Sequence, residues 1–264
     1  MKRLLIIKDK KELDYPVDGF IVGVEDLSTN LGVYYSLDEV IDIIKYCNKN
    51  NKEIFISLNK NMHNKDIDYL KAVLLELNNY DITGVMYYDI SIVNLKEKLN
   101  LKYDLVWSQE HLTTNYFTCN YWYSKNVKYA YLSSEITIKE VNEIKKNTHQ
   151  LLMYNVFGYL PMFASRRHLV KNYLTTFNLK GNDDYYIRLN DKKYKIIDNN
   201  NGTIAYSNYI LNIIDDLDSL DVDYVVYNSF MIPDILDVLN GNNKYEKVLG
   251  FAYDETIYKV KKWK

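Results

Sequence analysis

A (β/α)8 barrel of α/β class, with a small β insertion between strands seven and eight, is the fold the sequence predicts. Three observations carry it. Eight short β-rich runs alternate with helical patterns. Several of these runs are apolar at consecutive positions, as strands covered on both faces are. The length of 264 residues suits one such barrel and its core.

Strand one reads at Arg3–Lys8 and strand two at Gly19–Val24. Ser36 followed by Glu39 makes a capping box that opens a helix through "VIDIIKYC". Strand three, Glu53–Asn59, leads to a helix near Asp66–Tyr80, where Ile67, Leu70, Val73, Leu74 and Leu77 share one face. Strand four is Gly84–Asp89, with a helix at Ser91–Asn100; strand five is Asp104–Gln109, with a helix at Tyr116–Ser124. After strand six, Lys128–Ser133, Thr137 and Glu140 repeat the capping box before "VNEIKK". Strand seven is Gln150–Val156.

The stretch Tyr185–Ser207, "YYIRLNDKKYKIIDNNNGTIAYS", alternates polar and apolar residues around the turn signals "NDKK" and "NNNG". It reads as a hairpin or small sheet inserted before strand eight. A helix at Ile210–Leu220, strand eight at Tyr224–Ser229 and a helix at Ile232–Leu239 complete the set. The expected organisation is one barrel domain, residues 1–264, with a β-hairpin insertion at about 185–207 and a short basic C-terminal tail, "YKVKKWK".

A net charge of −2 offers no bulk attraction for a polyanion, so nucleic-acid binding would need a local basic patch. The apolar run "LLII" is too short for a signal peptide, and no segment has the roughly 20 apolar residues of a membrane span. The expectation is a cytoplasmic protein without membrane association. Two cysteines, Cys47 and Cys119, fit a reducing compartment and exclude a cysteine-rich cluster. The 27 tyrosines, alongside much Asn, Lys and Ile, follow from AT-rich coding. No G-x-G-x-x-G or Walker A loop is present, which disfavours dinucleotide and nucleoside-triphosphate chemistry. No cofactor is expected.

Barrel chemistry belongs at the C-terminal ends of the strands. Those positions hold Glu25, Asn59, His63, Asp89, Gln109, Glu110, His111, Ser134, Glu135 and the run Ser165–Arg166–Arg167–His168. His149 precedes strand seven and belongs to the opposite end. Adjacent arginines suit bidentate contact with an oxyanion. Two readings stand side by side: Glu25, Asp89 and Glu135 pair with Arg166 and Arg167 across the mouth, or the arginines take a substrate anion. His63, His111 and His168 lack any dedicated spacing such as H-E-x-x-H, and no metal is expected. Ser165 and His168 lack the G-x-S-x-G elbow of a serine hydrolase.

Several stretches together resemble peptidase family U32, the collagenase-like proteases, a family of unassigned catalytic type. "EIFISLNKNMHNKDIDYLKAVLLELNNYDITGVMYYDI" is similar to its strand–Asn–loop–helix followed by a strand ending in Asp. "LVWSQEHLTTNYFTCNYW" resembles its S-x-Q…N segment, here Ser108, Gln109 and Asn115. "VKYAYLSSEITIKEVNEI" resembles its strand ending before a Glu, here Glu135. "GYLPMFASRRHLVKNY" and "KYKIIDNNNGTIAYSNYILNIIDDLDSLDVDYVVYNS" resemble the segment after strand seven and the insertion with the last strand. The resemblance spans most of residues 19–230. The chain departs from the family where Met153 stands near its strand-seven Glu and His168 near its first cysteine. It looks like the cysteine-poor branch that lacks an iron–sulfur cluster, with Asp198, Gly202 and Thr203 kept in the turn "DNNNGT".

The resemblance implies a peptide hydrolase, with Asp89, Glu135 and His168 as catalytic candidates and Asn59, Gln109, Asn115, Arg166 and Arg167 as substrate-binding candidates. It also implies two alternatives. One is a factor for hydroxylating the tRNA wobble uridine. The other is a non-catalytic barrel supporting a second family member. The expected substrate is therefore a peptide or a tRNA, and the sequence leaves the oligomeric state open.

Overall fold

The computed structural model describes residues 1–109, 111–182 and 184–254. Glu110 and the basic tail lie outside the described residues. Eight parallel strands follow one another round a ring: β1 (Lys2–Ile6), β2 (Gly19–Gly23), β3 (Glu53–Leu58), β4 (Gly84–Tyr87), β5 (Asp104–Trp107), β6 (Tyr129–Tyr131), β7 (Leu151–Ser165) and β11 (Tyr224–Asn228). The last strand, β11, pairs with β7, where Val225 meets Tyr154, and closes the ring on β1, where Val225 meets Arg3. The eight strands match the eight runs read from the sequence.

Helices α1 (Leu37–Lys49), α2 (Ile67–Leu77), α3 (Ser91–Leu99), α4 (Tyr116–Tyr123), α5 (Ile138–Asn147), α6 (Leu169–Thr176) and α7 (Ile235–Leu239) lie between and after the strands. Between β1 and β2 there is instead a short 3-10 turn, Lys10–Asp14. The capping boxes form as expected. Glu39 N–H donates to Ser36 Oγ at 3.3 Å, and Ser36 N–H donates to the Glu39 carboxylate at 3.0 Å. Thr137 and Glu140 do the same at the start of α5.

Two apolar layers follow from strand alternation. One lies between strands and helices and includes both cysteines. Burial pushes the Cys47 and Cys119 thiols up to about 12, so neither supplies a thiolate near neutrality. The other layer fills the ring itself with Leu4, Ile6, Phe55, Met86, Met153 and Val226, among others. Phe55, Tyr129 and Tyr224 meet edge-to-face at 5.4–6.0 Å and fill part of this interior. Met153 is fully buried in this interior core. The interior is packed, which leaves chemistry to the C-terminal end.

Two sequence expectations fail in the same place. Strand seven does not end at Val156; β7 runs on to Ser165. The stretch Ile210–Leu220 is not a helix. Its first residues end β10 (Gly202–Asn212), and Ile214–Ser219 is a 3-10 turn. The physical reason is mutual. Ile210, Leu211 and Asn212 pair antiparallel with Tyr159, Gly158 and Phe157, which buries Leu211 and gives the extension of β7 a partner. Gly158 bends the strand at φ +119° rather than ending it.

Two more antiparallel strands, β8 (Tyr185–Leu189) and β9 (Lys192–Asn199), add to β10 and complete an arm outside the ring. Pairing assigns its two faces. Phe163, Ala205, Ile196 and Tyr185 share one face and meet α6. Ala164, Ile204 and Ile197 share the other, which turns toward the mouth of the ring.

Candidate functional site

The C-terminal ends of the strands and the arm enclose a cavity of about 280 Å³. Asn59, Lys60, Tyr88, Ser108, His111 and Arg166 are among its lining residues. Beneath it Asn155, Asn228, Tyr131 and Tyr159 line a narrow recess. These floor groups are held by one another. Tyr131 OH donates to Asn155 Oδ1 at 2.6 Å, and Asn155 Nδ2 donates to Ser134 Oγ at 2.9 Å. Asn228 Nδ2 donates to Tyr159 O at 3.3 Å, and Phe230 N–H donates to Asn228 Oδ1 at 2.9 Å. Asn59 Oδ1 accepts from Thr29 N–H at 2.7 Å. The polar groups of the floor are therefore neutral amides and hydroxyls at set orientations, placed among the apolar side chains of Ile6, Leu31 and Met86. Such a surface recognises a flat polar group carrying both donors and acceptors.

The rim is charged. Arg166 reaches from the end of β7 across to the loop after β3, where Nη1 donates to Asn61 O at 2.7 Å and Nη2 lies 3.7 Å from Asp66. Lys60 Nζ donates to Asp26 O at 2.7 Å and lies 3.4 Å from Asp66. Asp66 also accepts from His63 N–H at 2.8 Å. Burial pushes the Asp66 carboxyl up, but the His63 N–H and the Lys60 and Arg166 charges outweigh it and hold the group below its ordinary value. Asp66 thus joins the arm to the barrel rim.

Next to this cavity, His111, Ser133, Ser134, Glu135 and Tyr209 line a smaller recess. His111 Nδ1 lies 3.4 Å from Glu135 Oε1.

The sequence-derived candidates divide into two sets. Asn59 and Arg166 line the main cavity, and Glu135 lines the recess beside it. Asp89 stands at the end of β4 with both oxygens engaged by backbone: Met62 N–H and Ser91 N–H each donate at 2.9 Å. It ties the loop after β3 to the start of α3. Gln109 is half-buried after β5, and its carbonyl accepts from Leu112 N–H at 3.0 Å. Asn115 is exposed and caps α4, accepting from Thr118 N–H at 2.9 Å.

His168 lies on the arm at the start of α6. Its Nδ1 is 2.9 Å from Asp198, whose other oxygen accepts from Lys171 N–H at 3.0 Å. Thr203 Oγ1 donates to Arg167 O and accepts from Leu169 N–H, both at 2.8 Å. Asp198 and Thr203 of the "DNNNGT" turn therefore hold the "SRRH" segment. The side chain of Arg167 is exposed, and its guanidinium has no ion-pair partner among the described residues.

Sequence reasoning missed Lys60, Tyr88, Asn155 and Asn228. A signal for two of them was available. Asn155 and Asn228 each stand two residues beyond a buried inward residue, Met153 and Val226, and so point into the ring at its upper end. Among the described residues, no three His, Cys, Asp or Glu side chains come together as metal ligands. No helix among them is long and apolar enough to cross a membrane.

Residues 8–227 match the profile of peptidase family U32. The tRNA hydroxylation protein P2 of Bacillus subtilis (strain 168) is 27% identical over 76% of this chain and 68% of its own length. An uncharacterized protease of Methanocaldococcus jannaschii is 24% identical over 94% of this chain and 70% of its own length. The tRNA hydroxylation protein P1 of Bacillus subtilis (strain 168) is 18% identical over 64% of this chain, which spans 40% of that protein. Among solved structures, the U32 peptidase Mk0906 superposes with a TM-score of 0.56 at 14% identity, covering 86% of this chain and 92% of that one. At that identity the likeness concerns the fold.

Proposed function

This chain belongs to peptidase family U32, and we propose that it acts on RNA, holding one extruded nucleotide of a tRNA in the barrel mouth. In this reading it serves tRNA hydroxylation, at the wobble uridine that the family resemblance implies, together with a second family member. The observation that carries the reading is the neutral amide and hydroxyl floor beneath a cationic rim. A nucleobase edge offers alternating donors and acceptors to Asn59, Asn155 and Asn228, while Arg166 and the exposed Arg167 beside it meet the phosphates. Two Bacillus subtilis relatives bear the names tRNA hydroxylation protein P2 and P1, which supports the tRNA reading and a second family member.

The test is tRNA binding by the purified chain across a salt series, where affinity falls steeply with rising salt if phosphate contacts dominate. Arg167→Ala is expected to weaken binding about fivefold, the loss of about one charge-assisted contact. His149→Ala, at the other end of β7, is expected to leave it unchanged. Equal effects of the two variants overturn the assignment of this end of the barrel.

One observation favours a second reading, peptide hydrolysis. His111 Nδ1 and Glu135 Oε1 lie 3.4 Å apart beside the cavity, both partly exposed. In that reading His111 takes a proton from water and Glu135 orients the imidazole. His111→Ala is then expected to slow cleavage of an unstructured peptide library by roughly 100-fold or more, the usual contribution of a positioned proton-transfer group, and Glu135→Gln by less. A wild-type chain that leaves the library intact removes this reading.

A further inference from the structure

The hairpin β8–β9 at the far end of the arm is rich in basic residues. Arg188, Lys192, Lys193 and Lys195 stand against Asp184 and Asp191 within a dozen residues, in a chain whose net charge is −2. Lys195 pairs with Asp184, and its ammonium lies 4.9 Å from the ring centroid of Tyr186. Arg188 and Lys193 have no carboxylate partner among the described residues, and both are exposed. They are also directly opposite each other in the register. Two like charges facing across a strand pair destabilise it unless an anion lies between them.

The turn that joins the strands makes this placement rigid. Asn190 and Asp191 both have positive φ, 48° and 64°, as in the tight two-residue hairpin turn whose twist matches its strands. The two cations are therefore presented at a set spacing rather than on a mobile loop. Strand alternation then fixes their direction. Tyr186, Arg188, Lys193 and Lys195 lie on the same face of the sheet as Ile197 and Ile204. Ile204 lines the mouth cavity beside Arg166. The face is continuous, and Lys193 lies roughly 20 Å along β9 from Asn199, at about 3.3 Å per residue.

We propose that the mouth-side face of the β8–β9 hairpin is a platform for single-stranded RNA. Arg188 and Lys193 take the phosphodiester backbone flanking the nucleotide in the mouth, and the half-exposed Tyr186 ring stacks on one of its bases. The proposal rests on the RNA reading above and deepens it, because it makes recognition extend beyond one nucleotide. A rigid cationic pair next to an aromatic ring suits a flexible, unpaired strand better than a regular duplex, since stacking needs a base free of its neighbours.

The test uses the full chain, bulk tRNA and a fully paired RNA duplex, read by fluorescence anisotropy over a salt series. The double variant Arg188→Gln, Lys193→Gln is expected to bind tRNA about tenfold more weakly and to lower the salt slope by about 1.4, at about 0.7 per phosphate contact. Tyr186→Ala weakens tRNA binding about fivefold, Tyr186→Phe restores it, and neither changes duplex binding. Lys139→Gln, Lys146→Gln makes the same charge change at exposed positions of α5 and leaves binding unchanged. All sites are exposed, so melting temperatures within a degree or two of wild type confirm folding.

If Arg166→Gln weakens binding while the hairpin variants do not, the platform is overturned and the RNA reading stands. Hairpin effects without any Arg166 effect support the platform and remove Arg166 from the contact set. A wild-type chain that binds anionic vesicles but no tRNA overturns both.

Discussion

Gly158→Ala is expected to lower the unfolding free energy by about 3 kcal/mol or more, in the upper range of single substitutions. Two independent costs meet there. The residue has φ +119°, a conformation that side chains with a Cβ rarely adopt. A Cβ would also lie 2.6 Å from Asn228 O and 2.8 Å from Asn228 Cβ. Neither neighbour yields easily, because Asn228 is the last residue of a central barrel strand and its side chain belongs to the cavity floor. Gly241→Ala separates the two costs. Its φ is +88°, but nothing lies within 4 Å of a built Cβ. Backbone strain alone then remains, at about 1–2 kcal/mol. Denaturant melts of both variants give the comparison; similar losses would show that the contact with Asn228 is relieved by a small shift of β11.

Asp66→Asn is expected to cost about 2–3 kcal/mol and to loosen the arm from the barrel. The carboxylate is about 12% exposed and faces Lys60, itself about 10% exposed. Removing one member of a buried ion pair leaves the other uncompensated. The Arg166 contact to Asn61 O survives the substitution, so the arm stays attached at one point instead of two. The wild-type pH profile carries the same information. The folded chain holds the Asp66 carboxyl below its ordinary value, so this stabilisation is fully present above the unfolded pKa of about 4. It is lost as the pH falls through the lower folded value. Urea midpoints for wild type should therefore decline on acidification below about pH 4 more steeply than those of Asp66→Asn. Parallel declines would show that other carboxylates dominate that range.

The ring of strands was legible because each stave declares itself locally. Runs such as "EIFISL" and "YVVYN" are apolar on both faces, and the two capping boxes mark helix starts without reference to anything distant. The arm was legible only in part. Its turns are written in "NDKK" and "NNNG", but the extension of β7 and the strand identity of Ile210–Asn212 depend on each other. Neither segment carries that information alone, and "YILNII" fits a helical period as well as a strand. The site shows the same division. Positions next to strand ends can be picked out in the sequence, whereas the backbone contacts of Asp89 and Asn115 cannot, because a carboxylate or amide at a strand or helix end looks the same whether it meets a substrate or a backbone N–H. Asp66 was passed over for the opposite reason. It was read as the start of a helix, and its partner Arg166 is far away in the chain.

The shared strand β7 also bears on how the chain assembles. The eighth stave, β11, must find β7 across the whole stretch 166–223. Pairing β10 with the upper half of β7 sets Asn212 against Phe157 and leaves only 213–223 to span. Loop-closure entropy rises with the logarithm of the enclosed length, so the last stave docks at a lower entropic cost once the arm has zipped. A local, antiparallel pairing thereby lowers the entropic cost of the parallel β7–β11 pairing, while β1, more than 200 residues from β11 in the chain, gains nothing from it.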